Sequence, residues 1–188
     1  MKRLVVLLCA PLLALFFLVF AAPAVASGEH FTHGGVPTCT ITPIVTATDT
    51  SQSVVCTGEL AGLGNVDLVL DLSASGFALY QCQNGGGNVA PGQNKVLVGP
   101  AVSKTTIPAN AIKNGRTMFT TNAAVLSAPL TVSGTVAGCP NPNWTGVNPV
   151  VTVTSITLKI TQTVLLFTCT KSDPNGLTGT VTLTCTAA

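Results

Sequence analysis

Charge is what this chain has least of. Asp, Glu, Lys and Arg make up 7% of its 188 residues, against roughly 25% in an ordinary soluble domain. Histidine is nearly missing as well: His30 and His33 are the only two, both close to the N-terminus. The body of the chain therefore has no base for a Ser-His-Asp arrangement, and no G-x-S-x-G elbow is present. No C-x-x-C pair occurs, so the cysteines do not read as a structural zinc site. No helical period persists for three turns. Together these shortages point away from an enzyme, a metal centre and a helical fold, and no cofactor is expected.

The one long hydrophobic run lies at the start. Lys2 and Arg3 precede an apolar stretch from Leu4 to Ala22, and "APAVA" follows with Ala24 and Ala26 at the small positions. Basic, apolar and A-x-A regions in that order form a secretory signal, with cleavage expected after Ala26. An uncleaved membrane anchor is the alternative, because the run approaches the roughly 20 residues that span a bilayer. Cys9 sits too early for a lipobox. Cleavage leaves 188 less 26, or 162 residues, the size of one domain. It also removes two of the eight basic residues and none of the six acids, so the remaining chain is formally neutral. Neutrality argues against nucleic acid, which needs a basic stripe, and against anionic membranes, and no stable membrane insertion is expected after cleavage. The last residues, "TCTAA", carry no sorting motif or polybasic tail. Retention at a surface is then expected to be non-covalent.

What fills the chain is β-forming sequence. In "TGTVTLTCT" the threonines 178, 180, 182, 184 and 186 fall on one face and Val181, Leu183 and Cys185 on the other. That is the period of a half-buried strand. In "VDLVLDLSA", Leu68, Leu70 and Leu72 point inward while Asp67, Val69 and Asp71 point outward. From Val150 to Thr170 the phase changes: Val151 and Val153 are odd, Ile156, Leu158 and Ile160 even. One residue of slip turns every side chain over, so a bulge or break is expected near Thr154-Ser155. Further strands are expected at 38–46, 52–57, 76–82, 95–99, 116–121 and 130–137. Turn chemistry separates them at "GLGN", "NGGGN", "KNGR", "NPN" and "SDPNG". Eight or nine short strands of this kind predict an all-β, immunoglobulin-like antiparallel sandwich over 38–188, with a β-barrel as the alternative. Residues 27–37 show no period and read as a loose N-terminal segment.

Six cysteines follow the signal segment: Cys39, Cys56, Cys82, Cys139, Cys169 and Cys185. An even count in an exported chain predicts up to three disulfides. Two distinctive segments each set a cysteine among Gly, Pro and Asn: "CQNGGGNVAPGQN" from Cys82 and "GCPNPNW" around Cys139. The first is no phosphate loop, since Gly92 is followed by Gln93 and no helix comes after. A Cys82–Cys139 bridge between the two is expected instead. For the other four, sequential pairing (Cys39–Cys56 and Cys169–Cys185), each within or beside a plausible hairpin, is preferred, with Cys56–Cys169 and Cys39–Cys185 as the main alternative.

The order "GLGN", "CQNGGGNVAPGQN", "KNGR", "GCPNPNW" resembles a family of small secreted bacterial β-proteins of uncharacterised function. The likeness spans roughly Gly58 to Thr170 and implies an exported β-domain without implying an activity. The third glycine of the loop and the hydrophobic "TVLLFTC" depart from the family pattern.

Candidate ligand groups are sparse. Trp144, with Asn141, Asn143, Asn84 and Asn88 around the two cysteine loops, could stack on and hydrogen-bond a sugar. Trp144 packed beside the disulfide is the competing expectation. "NWT" at 143–145 is also a glycosylation sequon. His30 and His33 could hold a metal only if ordered, and a solvated tail is the simpler expectation. Asp67 and Asp71 share a strand face about 13 Å apart, too far for a glycosidase pair. Asp173 and Asn175 belong to a turn. The sequence thus predicts a secreted, non-enzymatic structural or cell-surface-associated β-domain. The alternative is an extracellular module that binds a polysaccharide or protein through the loops around Cys82 and Cys139. Possible partners are cell-surface polysaccharide, protein or further copies of the chain.

Overall fold

A computed structural model describes residues 28–32, 35–46 and 50–188. The expected signal segment and His33 lie outside these residues. The described chain is mostly β and carries three disulfides. Its strands are β1 (His30–Phe31), β2 (Thr38–Val45), β3 (Thr50–Ala61), β4 (Leu68–Gln83), β5 (Val89–Pro91), β6 (Val96–Ile107) and β7 (Thr117–Thr120). They continue with β8 (Ala124–Leu126), β9 (Val132–Ser133), β10 (Thr145–Thr161), β11 (Leu165–Leu177), β12 (Gly179–Thr182) and β13 (Thr184–Ala187). One short helical turn, α1 (Gly134–Ala137), precedes β10.

The strands form two ladders. In the first, β12, β2 and β3 lie in order and β3 also takes β1, β7 and β8. In the second the order is β13, β11, β10, β4, β6, with β5 on β4 and β9 on β10. A parallel bridge between Thr50 and Val150 joins the two. Thr50 Oγ1 donates to Pro149 O at 2.7 Å and Gln52 Nε2 to Val151 O at 3.1 Å, which ties the corner. The path β12-β2-β3-β10-β11-β13 curls through both ladders and leaves open edges.

Alternation decides which side chains go inside. Leu68, Leu70 and Leu72 are at most 1% exposed, as their period-two spacing demands, and Asp71 between them is exposed. Ile41, Val54, Cys56 and Leu60 of the first ladder join them, with Ile156, Leu158 and Ile160, in one buried cluster. Each such aliphatic side chain contributes about 2 kcal/mol on leaving water. The C-terminal alternation also holds, with Leu183 buried at 1%. Leu183 is where the chain crosses between ladders: Thr182 pairs with Thr38 on β2, and Thr184 pairs with Thr170 on β11.

The phase change in β10 is a bulge. Val153 lies opposite Gly76 and Ser155 opposite Ser75, so Thr154 is the extra residue, its hydroxyl donating to Ser75 O. On the other side of β4, Ala74 pairs with Ala101 and Gly76 with Val98, so β6 also carries one residue more. That residue falls at Gly99-Pro100, where φ of Gly99 is 92° and the peptide is cis. On β11, Ser172 and Leu177 flank four residues with no partner on β10. These irregularities line up as a crease across the second ladder, and the chain must come very close there. A Cβ on Gly76 would lie 1.9 Å from Thr152 O.

Three sequence expectations change. Residues His30–Phe31 are not loose: they pair with Leu60 and Ala61, and the Phe31 ring stacks 4.7 Å from Phe167. Residues 134–137 turn helical instead of extending β9, because Ser133 Oγ accepts from Val136 N–H and Gly138 closes the turn at φ 69°. "SDPNG" is not a hairpin but the excursion within β11, held by Asn175 N–H donating to Asp173 Oδ1 at 2.8 Å. "KNGR" is a hairpin turn as expected, with Asn114 and Gly115 both at positive φ.

Substituting Gly76→Ala should cost about 3 kcal/mol, because β10 must move away from the new methyl group. The neighbouring Ser75→Ala should cost under about 1 kcal/mol. Urea unfolding of the two variants beside the parent chain checks the difference, and equal stability would remove the crease as a tight contact.

Candidate functional site at the stapled end

Beyond the crease, β4 and β10 run on together to Gln83 and Thr145. The next residues out, Asn84 and Trp144, leave the ladder side by side. Just inside them the Cys82–Cys139 disulfide joins the bases of the two loops, with Cα atoms 5.6 Å apart. The structure thus brings Asn84, Asn88, Asn141, Asn143 and Trp144 to one end of the molecule.

Two of the four asparagines spend their side chains on the loops themselves. Asn84 Oδ1 accepts from the N–H groups of Gly86 and Asn88, both at 2.9 Å. Asn141 Oδ1 accepts from Asn143 N–H at 2.9 Å, and its carbonyl from Trp144 N–H at 3.1 Å. These Asx turns replace backbone turns. The side chains of Asn88 and Asn143 make no such bond and face outward with free amides. Trp144 is half-buried and packs against the core cluster. The two loops are also sewn together: Ala137 O accepts from Gln93 and Asn94 N–H, and Asn94 Nδ2 donates to Thr135 O and Val136 O. Tyr80, 2% exposed, donates its hydroxyl to Pro129 O at 2.8 Å. Burial pushes its phenol above the ordinary value, so it stays a donor at neutral pH.

Beside this end, on the outward face of β4 and β10, lies a depression of about 370 Å³. Leu79 and Val150 face each other across the ladder on its floor, with Val89 and Pro91 beside them. Leu79 is 39% exposed, Val89 55% and Val150 56%, so this floor is apolar and open to water. Asn148 Nδ2 donates to Gln81 Oε1 at 2.9 Å along its rim. This groove has no counterpart among the sequence expectations. Its signal was available: in "ALYQCQ", Leu79 and Gln81 occupy the outward positions between buried Ala78, Tyr80 and Cys82.

Residues 79–94 and 129–150 include no Asp, Glu, Lys or Arg. The end is electrically neutral, able to bury the apolar face of an uncharged ligand and hydrogen-bond its edge. The other candidates lie elsewhere. Asp67 Oδ1 accepts from Ala109 N–H at 2.8 Å at a strand start, Asp71 is on the outward face of β4, and His30 Nδ1 bonds to Gly28 O. Among the described residues no group of three His, Cys, Asp or Glu gathers as a metal site, and no helix is long and apolar enough to cross a membrane. The other two disulfides are Cys39–Cys56 and Cys169–Cys185, each joining residues directly opposite in adjacent strands. No protein-family model, curated protein or solved structure matches the chain.

The Cys82–Cys139 bridge closes the longest separation, 57 residues against 17 and 16. Replacing both its cysteines by Ala should cost about 4 kcal/mol, about 1 more than for either other pair. Trp144→Ala should cost about 2 kcal/mol through lost packing. Chemical denaturation of the four variants gives the order directly, and an unchanged midpoint for Trp144→Ala would place the indole in solvent.

Proposed function

We propose that this chain is an exported, non-enzymatic β-domain that serves as a structural component at a surface outside the cell, associating with further copies of itself. The observation that carries this reading is the combination of uncharged threonine faces with unpaired edges. Across the first ladder, Thr182, Thr38, Thr57 and Thr120 stand in one register row. Across the second, Thr157, Thr170 and Thr184 do the same. The edge strands β12 and β13 follow one another in the chain, and residues 179–187 carry no charge. Charged or proline-bearing edges are the usual protection against edge-to-edge pairing, and these edges have neither.

The signal-like N-terminus, the three disulfides and the likeness to small secreted bacterial proteins support export. The joined ladders with a shared core support an immunoglobulin-like sandwich as the finer description of the fold. The neutral groove at Leu79, Val89 and Val150 favours a second reading, a module for an uncharged polysaccharide.

Oxidised protein should show concentration-dependent association in sedimentation velocity, reduced by Thr180→Lys with Thr186→Lys on the two edges. A monomer at every concentration would sink the structural reading. For the second reading, saturable retention on an insoluble neutral glucan should be lost in Val150→Asp. Retention that ignores this substitution would remove the groove.

A further inference from the structure

On the other side of the crease, the outward face of the second ladder gathers charge in a chain that has almost none. Register places Lys104 of β6 opposite Asp71 of β4, and Asp71 opposite Lys159 of β10. Three charged side chains from residues far apart in sequence thus stand in one row across three strands. The next row along the strands is Val102, Ser73 and Thr157. Between the two rows lies a depression of about 340 Å³, lined by Asp71, Ser73, Val102, Lys104, Thr157 and Lys159.

None of the three charges is used internally. Among the described residues the ion pair is Arg116 with Glu59, and Asp71, Lys104 and Lys159 make no side-chain hydrogen bond or ion pair. The backbone beneath them is nonetheless fixed. Asn122 Nδ2 donates to Lys104 O at 2.8 Å and Ser103 Oγ to Asn122 O at 2.8 Å, which holds the edge strand in place. The charged row continues over β11 and β13 as Thr168 and Thr186. Five strands at about 4.8 Å spacing make a track of about 19 Å, long enough for a run of sugar rings.

We propose that this row is a binding site for an acidic polysaccharide built from uronic acid units. Two lysines two strands apart supply ammonium groups for the ring carboxylates. The carboxylate between them repels an anion but accepts hydrogen bonds from ring hydroxyls, which a simple anion does not offer. Ser73 and Thr157 hydroxyls add donors and acceptors, and Val102, 73% exposed, offers an apolar surface to a ring face. The pattern of cation, acceptor and cation matches a ligand with alternating carboxylate and hydroxyl groups better than a uniform polyanion. The site lies across the crease from the neutral groove and does not depend on association through the edges.

Affinity electrophoresis and calorimetry of the full oxidised protein with polygalacturonate, dextran sulfate and neutral dextran test this. Polygalacturonate should bind saturably, and the lysine variants should leave any retention of neutral dextran unchanged. Lys104→Gln and Lys159→Gln should each weaken binding about tenfold, the loss of one charge-assisted hydrogen bond. Asp71→Asn is the decisive variant. It should weaken polygalacturonate binding, since a neutral amide oxygen accepts from ring hydroxyls more weakly than a carboxylate, yet strengthen any binding of dextran sulfate, since a repelling charge is lost. No binding of polygalacturonate, or binding that the lysine variants leave intact, would overturn the proposal. So would tighter polygalacturonate binding by Asp71→Asn, which would reveal unspecific attraction to polyanions. All three positions are exposed, and an unchanged near-UV circular dichroism spectrum establishes that the variants fold.

Discussion

The antiparallel pairing of β4 with β10 is the constraint on which the rest of the molecule depends. It runs from Val69–Thr161 to Gln83–Thr145 and crosses two bulges, one at Thr154 and one at Asn148-Pro149. One end of it sets the position of the charged row, and the other end sets the two stapled loops. Every inward residue of the second ladder takes its place from this register. A slip of β10 by one residue would turn Ile156, Leu158 and Ile160 outward together.

The crease makes that long pairing possible. Strands of this length twist, and a sheet that must also turn back toward the first ladder needs somewhere to bend. Extra residues at Thr154 on β10 and Gly99-Pro100 on β6 supply the bend on both sides of β4, which itself keeps phase. Gly76 lets the backbones meet there. The bulge also separates two outward surfaces of opposite character: neutral and apolar beyond it at Leu79 and Val150, charged and hydroxyl-rich before it at Lys104, Asp71 and Lys159. The β11 excursion lies over the boundary. Lys95 Nζ sits 4.4 Å over the Phe77 ring and donates to Pro174 O, so Phe77 is buried although its phase is outward.

A fold with so few charges must be held by other means. The three bridges act chiefly by limiting the unfolded chain, and cross-strand threonine pairs such as Thr40 with Thr180 add modest contacts. The stapled end relies on asparagine side chains that stand in for backbone turns. Hence two of the four asparagines conspicuous in the sequence as ligand groups, Asn84 and Asn141, are engaged in Asx turns.

By itself the sequence determined what is local. Alternation named the inward faces of β4 and of the C-terminal strands, and the clash of phases between Val153 and Ile156 placed the bulge, because side-chain period is a property of consecutive residues. Turn chemistry at "KNGR" did the same. Only the tertiary structure decided what depends on register between distant segments. It joined two expected strands into one β4, placed His30–Phe31 on β3, and set Leu79 opposite Val150. It also aligned Lys104, Asp71 and Lys159, whose positions in the chain carry no shared motif. Pairing of strands far apart in sequence is fixed by the burial of a whole face at once, and no short window of residues contains that information.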